Sequence, residues 1–312
     1  MPSSIYTLPF PDGVSVGRAL QIAAGAANPH IDHNWDFKNP VNQRSQSNYS
    51  AGASSVYSID RWTLWHCALA INAGTGITLT GSAASGQLGQ KIENYAEFAG
   101  KTITLSANIL GGTGINNGAN LTIYDGVNYS GVNITAAGIV SVTATLSNYP
   151  STLQAILVTQ SGAGSYTLQI AAVKLELGSV STLANDAPAV FGEELRKCQR
   201  YYWKSFPQNV APANGAGRAG SIQYVAPNSG VGYCSVEVQF PVNMRTAPTV
   251  TFYSPSSANA KWFNYSAGTD SGVAGTPFSE TKEHGLTVFD TQAAGDNAGN
   301  TVAIHVTASA DL

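Results

Sequence analysis

Apolar residues fall at every second position along several short stretches of this chain. In Lys101–Leu110 they stand at Ile103, Leu105, Ala107 and Ile109, the period-two pattern of a half-buried β-strand. Val236, Val238 and Phe240 repeat it, as do Val302, Ile304 and Val306. In the first half, further strands are predicted at Leu121–Tyr124, Gly138–Leu146, Leu153–Val158 and Ser165–Leu177. In the second half they are predicted at Ser221–Val225, Val231–Phe240, Thr249–Tyr253, Lys261–Tyr265, His284–Phe289 and Thr301–Ala308. Gly, Asn and Ser clusters separate them, and Gly74–Gly89 fits either a long loop or a pair of strands with small side chains. Many short strands without helical periodicity point to a β-sandwich, and the lack of a fixed-period repeat argues against a β-helix or propeller.

One stretch breaks the pattern. Gly192–Trp203, GEELRKCQRYYW, is charge-dense, and Phe191, Leu195, Cys198 and Tyr202 recur at spacings of one helical face. Glu193 and Lys197 stand four apart, in the favourable order for an exposed ion pair. A short helix between two β-rich blocks divides the chain. The expected parts are an arm over residues 1–30, a β domain over 31–183, a helical connector over 184–207 and a second β domain over 208–312. Within the last, Gln208–Gly220 reads as a linker rich in Asn, Pro, Gly and Ala.

Composition narrows the function. The chain has 312 residues, only 11% of them charged, and a formal net charge of −3. No run rich in Lys or Arg exists, which argues against nucleic-acid binding. No segment approaches ~20 continuous apolar residues, so membrane insertion is not expected, and release from a cell would follow lysis. Cys67, Cys198 and Cys234 lie far apart, show no zinc spacing and read as small buried hydrophobes. A neutral, hydroxyl- and amide-rich surface suits uncharged ligands or neighbouring subunits.

Several phrases resemble the fibre and spike proteins of tailed bacteriophages. They are NWDFKNPVNQR at Asn34–Arg44, YSIDRW at Tyr57–Trp62, KLELGSVST at Lys174–Thr182 and GEELRKCQRYYW, with FPVNMRTAPTVTFYSP at Phe240–Pro255. Ile59, where a smaller residue is commoner, and Lys174, where Gln is usual, depart from the pattern. The resemblance implies a jelly-roll, carbohydrate-binding-module-like domain, a connecting helix and a small β receptor-binding domain, assembled as a homo-trimer or mixed trimer. The expected fold class is thus mainly β, two β-sandwich (jelly-roll-like) domains joined by a short α-helix, with an N-terminal arm docking onto other virion proteins. The implied role is host attachment at the virion surface through cell-surface polysaccharide, capsule or lipopolysaccharide. The rivals are a polysaccharide depolymerase and an architectural connector without receptor binding.

Sugar recognition uses aromatic rings against pyranose faces and a few planar polar groups. Tyr124-Asp125-Gly126-Val127-Asn128-Tyr129 sets two rings beside an Asp-Gly turn, reading either as a ligand-touching tip or as a hairpin with buried tyrosines. Tyr124, Asp125, Asn128 and Tyr129 are the candidates there. In the second block, Lys261–Tyr265 alternates, so Trp262 and Asn264 share one face and Tyr265 lies on the other. The Gly268–Glu283 loop is a second place for receptor contact. Trp62 reads as core, and Asp60 with Arg61 as an ion pair holding its strand. His30 and His33 flank Asp32, a spacing better read as structural than as metal-ligating. No phosphate loop, nucleophile elbow or zinc-protease motif is present, no catalytic residue is assigned, and no cofactor is expected beyond a structural Ca²⁺ by analogy with carbohydrate-binding modules.

Overall fold

The computed structural model describes residues 27–81, 86–115, 118–159, 166–229, 233–271, 278–291 and 296–312. Residues 1–26 of the expected arm lie outside them, as do residues 272–277 of the Gly268–Glu283 loop.

The fold is mainly β, as the alternation predicts. The first lobe holds two six-stranded antiparallel sheets. In spatial order, sheet one runs Asn48–Ser50, Cys67–Asn72, Gly76–Gly81, Tyr166–Leu177, Thr102–Gly111, Gly138–Thr145. Sheet two runs Val56–Tyr57, Thr63–Trp65, Gly86–Lys91, Gln154–Thr159, Asn120–Tyr124, Tyr129–Asn133. Leu69, Ile77, Ile103 and Ile170 from sheet one meet Leu64, Leu88, Ile123 and Leu157 from sheet two in one buried core. That burial, ~1.5–3 kcal/mol per large apolar side chain, drives the pairing. The two strands of the Gly74–Gly89 stretch do not pair with each other. They sit in opposite sheets, so the chain crosses the sandwich there.

The outer faces of the sheets differ. Sheet one is covered by residues 28–37 and 178–189. Phe37 N–H donates to Ala171 O (3.0 Å), Val173 N–H to Trp35 O (3.0 Å), and Thr104 Oγ1 to Gly178 O (2.8 Å). Beneath this cover Lys174 is fully buried and donates to both oxygens of Asp186 at 2.7 and 2.8 Å. His30 stacks on Trp35 and bridges Asp32 and Asp186, each at 3.1 Å, the structural reading expected of that motif. Sheet two carries no such cover among the described residues.

The second lobe is built around the strand Thr301–Ser309, which pairs with Tyr202–Lys204, Ile222–Val225, Thr249–Tyr253 and Phe263–Asn264. A three-stranded sheet of Tyr233–Gln239, Gly285–Thr291 and Phe278–Lys282 completes it. Val302, Ile304 and Val306 point into its core with Trp262, Leu286 and Val288. On the other face His305 stacks on Phe206 and reaches Ser205 Oγ and Gly217 O, both at 2.9 Å. The segment predicted as a linker is therefore strapped onto this lobe, with Gly215 N–H and Gly217 N–H bonded to Ser254 O and Pro255 O.

The helix, α1, spans Phe191–Gln199 and is shorter than the stretch that predicts it. Tyr202 and Trp203 leave the helix for the second lobe's sheet, where backbone pairing with Ala308 and Ser309 outweighs one more helical turn. The Glu193–Lys197 pair is replaced by Lys197 with Glu194 at 2.6 Å, because Glu194 also accepts the buried Asn34 N–H (2.6 Å). Asp60 does not pair with Arg61. It meets Arg44 at 3.3 Å, while the Arg61 guanidinium lies 3.5 Å from the centre of the Tyr201 ring and donates to Lys91 O.

Three of the quoted phrases, Asn34–Arg44, Tyr57–Trp62 and Gly192–Trp203, come together at the contact between the lobes. Arg44 bonds Asp60 and Asp311 (2.7 Å) and packs between the Tyr57 and Tyr202 rings. Gln43 Nε2 donates to Tyr202 O (2.6 Å), and Glu93 accepts from Arg200 (2.7 Å) and Tyr201 Oη (2.6 Å). A contact between two sandwiches buries backbone and charge at once, and these pairs answer part of that demand, while Gln43 Oε1, Arg61 Nε and Asp311 Oδ1 stay without a hydrogen-bond partner among the described residues.

Candidate functional site

On the outer face of sheet two, strand pairing lays side chains in rows that cross the strands. Successive residues of a strand alternate faces, so partners in register share one. One row holds Trp65, Gln87, Asn120 and Asn133. The next holds Thr63, Gly89, Ile156, Thr122 and Gly131. The third holds Lys91, Gln154, Tyr124 and Tyr129. Small residues in the middle row leave a groove of about 400 Å³, lined by Gln87, Asn120, Thr122, Tyr129, Asn133 and Ile156 over the glycine at 131.

Tyr124 and Tyr129 form the aromatic wall. Their rings stack at 4.1 Å and 14°, and Tyr129 is 71% exposed, so one ring face is covered by Tyr124 and the other is open. The hairpin between them is held by Asp125, whose carboxylate accepts the N–H groups of Val127 (2.9 Å), Asn128 (2.6 Å) and Ser147 (2.8 Å). Burial alone would raise the Asp125 carboxyl, but these donors bring it below the usual carboxylate range. Gly126, at φ +86°, is required because a side chain there would collide with Ser151. Asp125 thus shapes the turn and offers no free oxygen to a ligand. Asn128 is exposed at the tip and also hydrogen-bonds the Asp125 carboxylate.

The second-block candidates are placed otherwise. Trp262 and Asn264 do share a face, but that face is inward. Trp262 is fully buried with Nε1 donating to Phe289 O (3.0 Å), so neither ring face is available to a sugar. Asn264 is equally buried, its amide donating to Asp296 (2.5 Å) and Asn300 (2.8 Å). Both are corrected to structural roles, because their strand lies against the core strand Thr301–Ser309. Tyr265 is half-buried on Phe263, with Arg218 4.9 Å from its ring centre.

Two further cavities lie at the lobe contact. One, about 430 Å³, is lined by His33, Arg61, Glu93, Arg200 and Tyr201, and the other, about 400 Å³, by Tyr49, Tyr57, Tyr202, Tyr253 and Arg44. Both are seams of the contact: Arg200 and Tyr201 donate to Glu93 in the first, where His33 Nδ1 and Arg61 Nε have no hydrogen-bond partner among the described residues, and Arg44 bonds Asp60 and Asp311 in the second. In the first seam, burial and then the nearby Arg61 push the His33 imidazole down to about 3. A depressed histidine contributes stability above its ordinary value, and this is lost as pH falls toward about 3. NMR of the imidazole carbons should show His33 neutral at pH 5, and protonation near 6.5 would contradict this placement.

Sequence reasoning found the tyrosine wall and missed the opposite amide row. Gln87, Asn120 and Asn133 come from three separate strands, and only sheet pairing unites them. Among the described residues, no group of three or more His, Cys, Asp or Glu is placed to hold a metal ion, and no helix is long and apolar enough to cross a membrane.

No protein-family model and no curated protein matches the chain. Solved structures similar to parts of it include an exo-beta-agarase (13% identity, TM-score 0.33, covering 50% of this chain and 26% of that one). PfGH50B is similar at 9% identity and TM-score 0.29, covering 56% and 33%. The CBM22-1 xylan-binding domain of Paenibacillus barcinonensis Xyn10C is similar at 10% identity and TM-score 0.28, covering 50% and 98%. The chain thus spans about a quarter and a third of the first two.

Proposed function

We propose that this chain is a non-enzymatic, glycan-binding protein of a virion surface, acting in host attachment through the groove on sheet two. The observation that carries the glycan reading is the groove itself. The exposed Tyr129 ring and the primary amides of Gln87, Asn120 and Asn133 line one shallow groove, bringing together the aromatic and planar donor–acceptor groups that orient a saccharide. The virion setting rests on the resemblance of the quoted phrases alone. In that setting the arm over residues 1–30 would dock onto other virion proteins and the second domain would stand distal. The chain would assemble as a trimer, and many copies per particle would raise weak single-site affinity into useful avidity.

Tyr129→Ala will weaken binding to host-cell polysaccharide by about tenfold or more, since it removes the exposed ring and leaves the fold intact. Titration of purified protein onto cells, with and without their capsule or lipopolysaccharide, reads this out. Equal binding by the variant, or equal binding to stripped cells, would overturn the proposal. Shortening of the polysaccharide during incubation would instead identify a depolymerase.

A further inference from the structure

Asp125 is the only Asp, Glu, Lys or Arg between Lys101 and Lys174, a stretch that supplies three of the five strands forming the groove's rows. The residue is 2% exposed, and its carboxylate is spent on three backbone N–H groups. The other two strands add Thr63, Trp65, Gln87 and Gly89, none of them charged, and Lys91 at the far end of the tyrosine row. An acidic polysaccharide bound here would surrender part of its hydration with no cation in the groove's lining to replace it, against a protein of net charge −3. Lys91, next to Gln154 in the tyrosine row, is the one cation in the three rows and lies beyond the groove's lining.

We infer that the ligand class of this groove is an uncharged polysaccharide, lying across the strands along the glycine-floored row between the amides and the Tyr124–Tyr129 wall. The inference rests on the glycan-binding reading above and adds the charge and direction of the chain that is bound. The direction follows from the floor. Gly131 has no side chain, and a Cβ there would stand 3.0 Å from Thr122 Oγ1, inside the volume the ligand occupies.

The test is a glycan array holding neutral and acidic polysaccharides, probed with wild type, Tyr129→Ala, Gly131→Leu and Lys91→Gln at low and high salt. The expected result is signal from neutral glycans that does not change with salt or in Lys91→Gln. It should be lost in Tyr129→Ala and in Gly131→Leu, with melting temperatures confirming that both variants fold. Signal confined to acidic glycans, falling with salt and in Lys91→Gln, would overturn this inference and leave glycan binding standing. Neutral binding that survives in a folded Gly131→Leu would overturn the path across the strands. Wild-type signal no greater than that of Tyr129→Ala on every glycan would remove the glycan-binding reading itself.

Discussion

Arg44→Ala will lower stability by about 3–5 kcal/mol, the usual loss when one partner of a buried ion pair is removed. Arg44 is the cation shared by Asp60, which is 1% exposed, and Asp311, one from each lobe. Its removal strands two carboxylates and empties the space between Tyr57 and Tyr202. The effect carries a pH signature. Burial pushes the Asp60 carboxyl up to about 6 against the pull of Arg44. A raised carboxyl favours the fold below its ordinary value, and this contribution fades as pH rises through about 6. Without Arg44 the charged form of Asp60 is costlier still, so the variant's deficit should grow between roughly pH 5 and pH 8. Denaturant midpoints at the two values read this directly. A deficit that is equal at both, or below about 1 kcal/mol, would show that Arg44 does not hold the lobes together.

Trp62→Ala should cost a comparable amount, about 3–5 kcal/mol, for a different reason. The indole is fully buried, sits edge-on to Phe37 at 5.2 Å, and donates Nε1–H to Asn34 O at 3.0 Å. Truncation opens a cavity between the sheets and orphans the Asn34 carbonyl. Asn34 in turn holds Val41 through its side chain and α1 through Glu194. Trp62→Phe keeps most of the volume and loses only the hydrogen bond, so it should cost about 1–2 kcal/mol. A melting series that ranks the two variants the other way would sink the core assignment.

How legible was this in the chain itself? The strands were, because a half-buried strand must alternate, and Ile103, Leu105, Ala107 and Ile109 all reach the core. Where alternation failed, burial on both faces was the cause. Lys174 and Glu176 look like solvent-facing positions between Val173, Leu175 and Leu177, yet both are fully buried under residues 28–37 and 178–189. Lys261–Tyr265 misled in the opposite sense, since an aromatic and an amide on one face fit a binding tip as well as they fit a core.

The sequence by itself determined the β class, the position of a short helix, the buried Trp62 and the tyrosine-flanked turn, all of which depend on neighbours within a few residues. Only the tertiary structure decided that Arg44, Asp60, Tyr202 and Asp311 share one contact and that the amides of Gln87, Asn120 and Asn133 line one groove. Antiparallel pairing joins strands whose order in space is set by core packing, not by order along the chain. A row across a sheet is for that reason invisible to any local pattern.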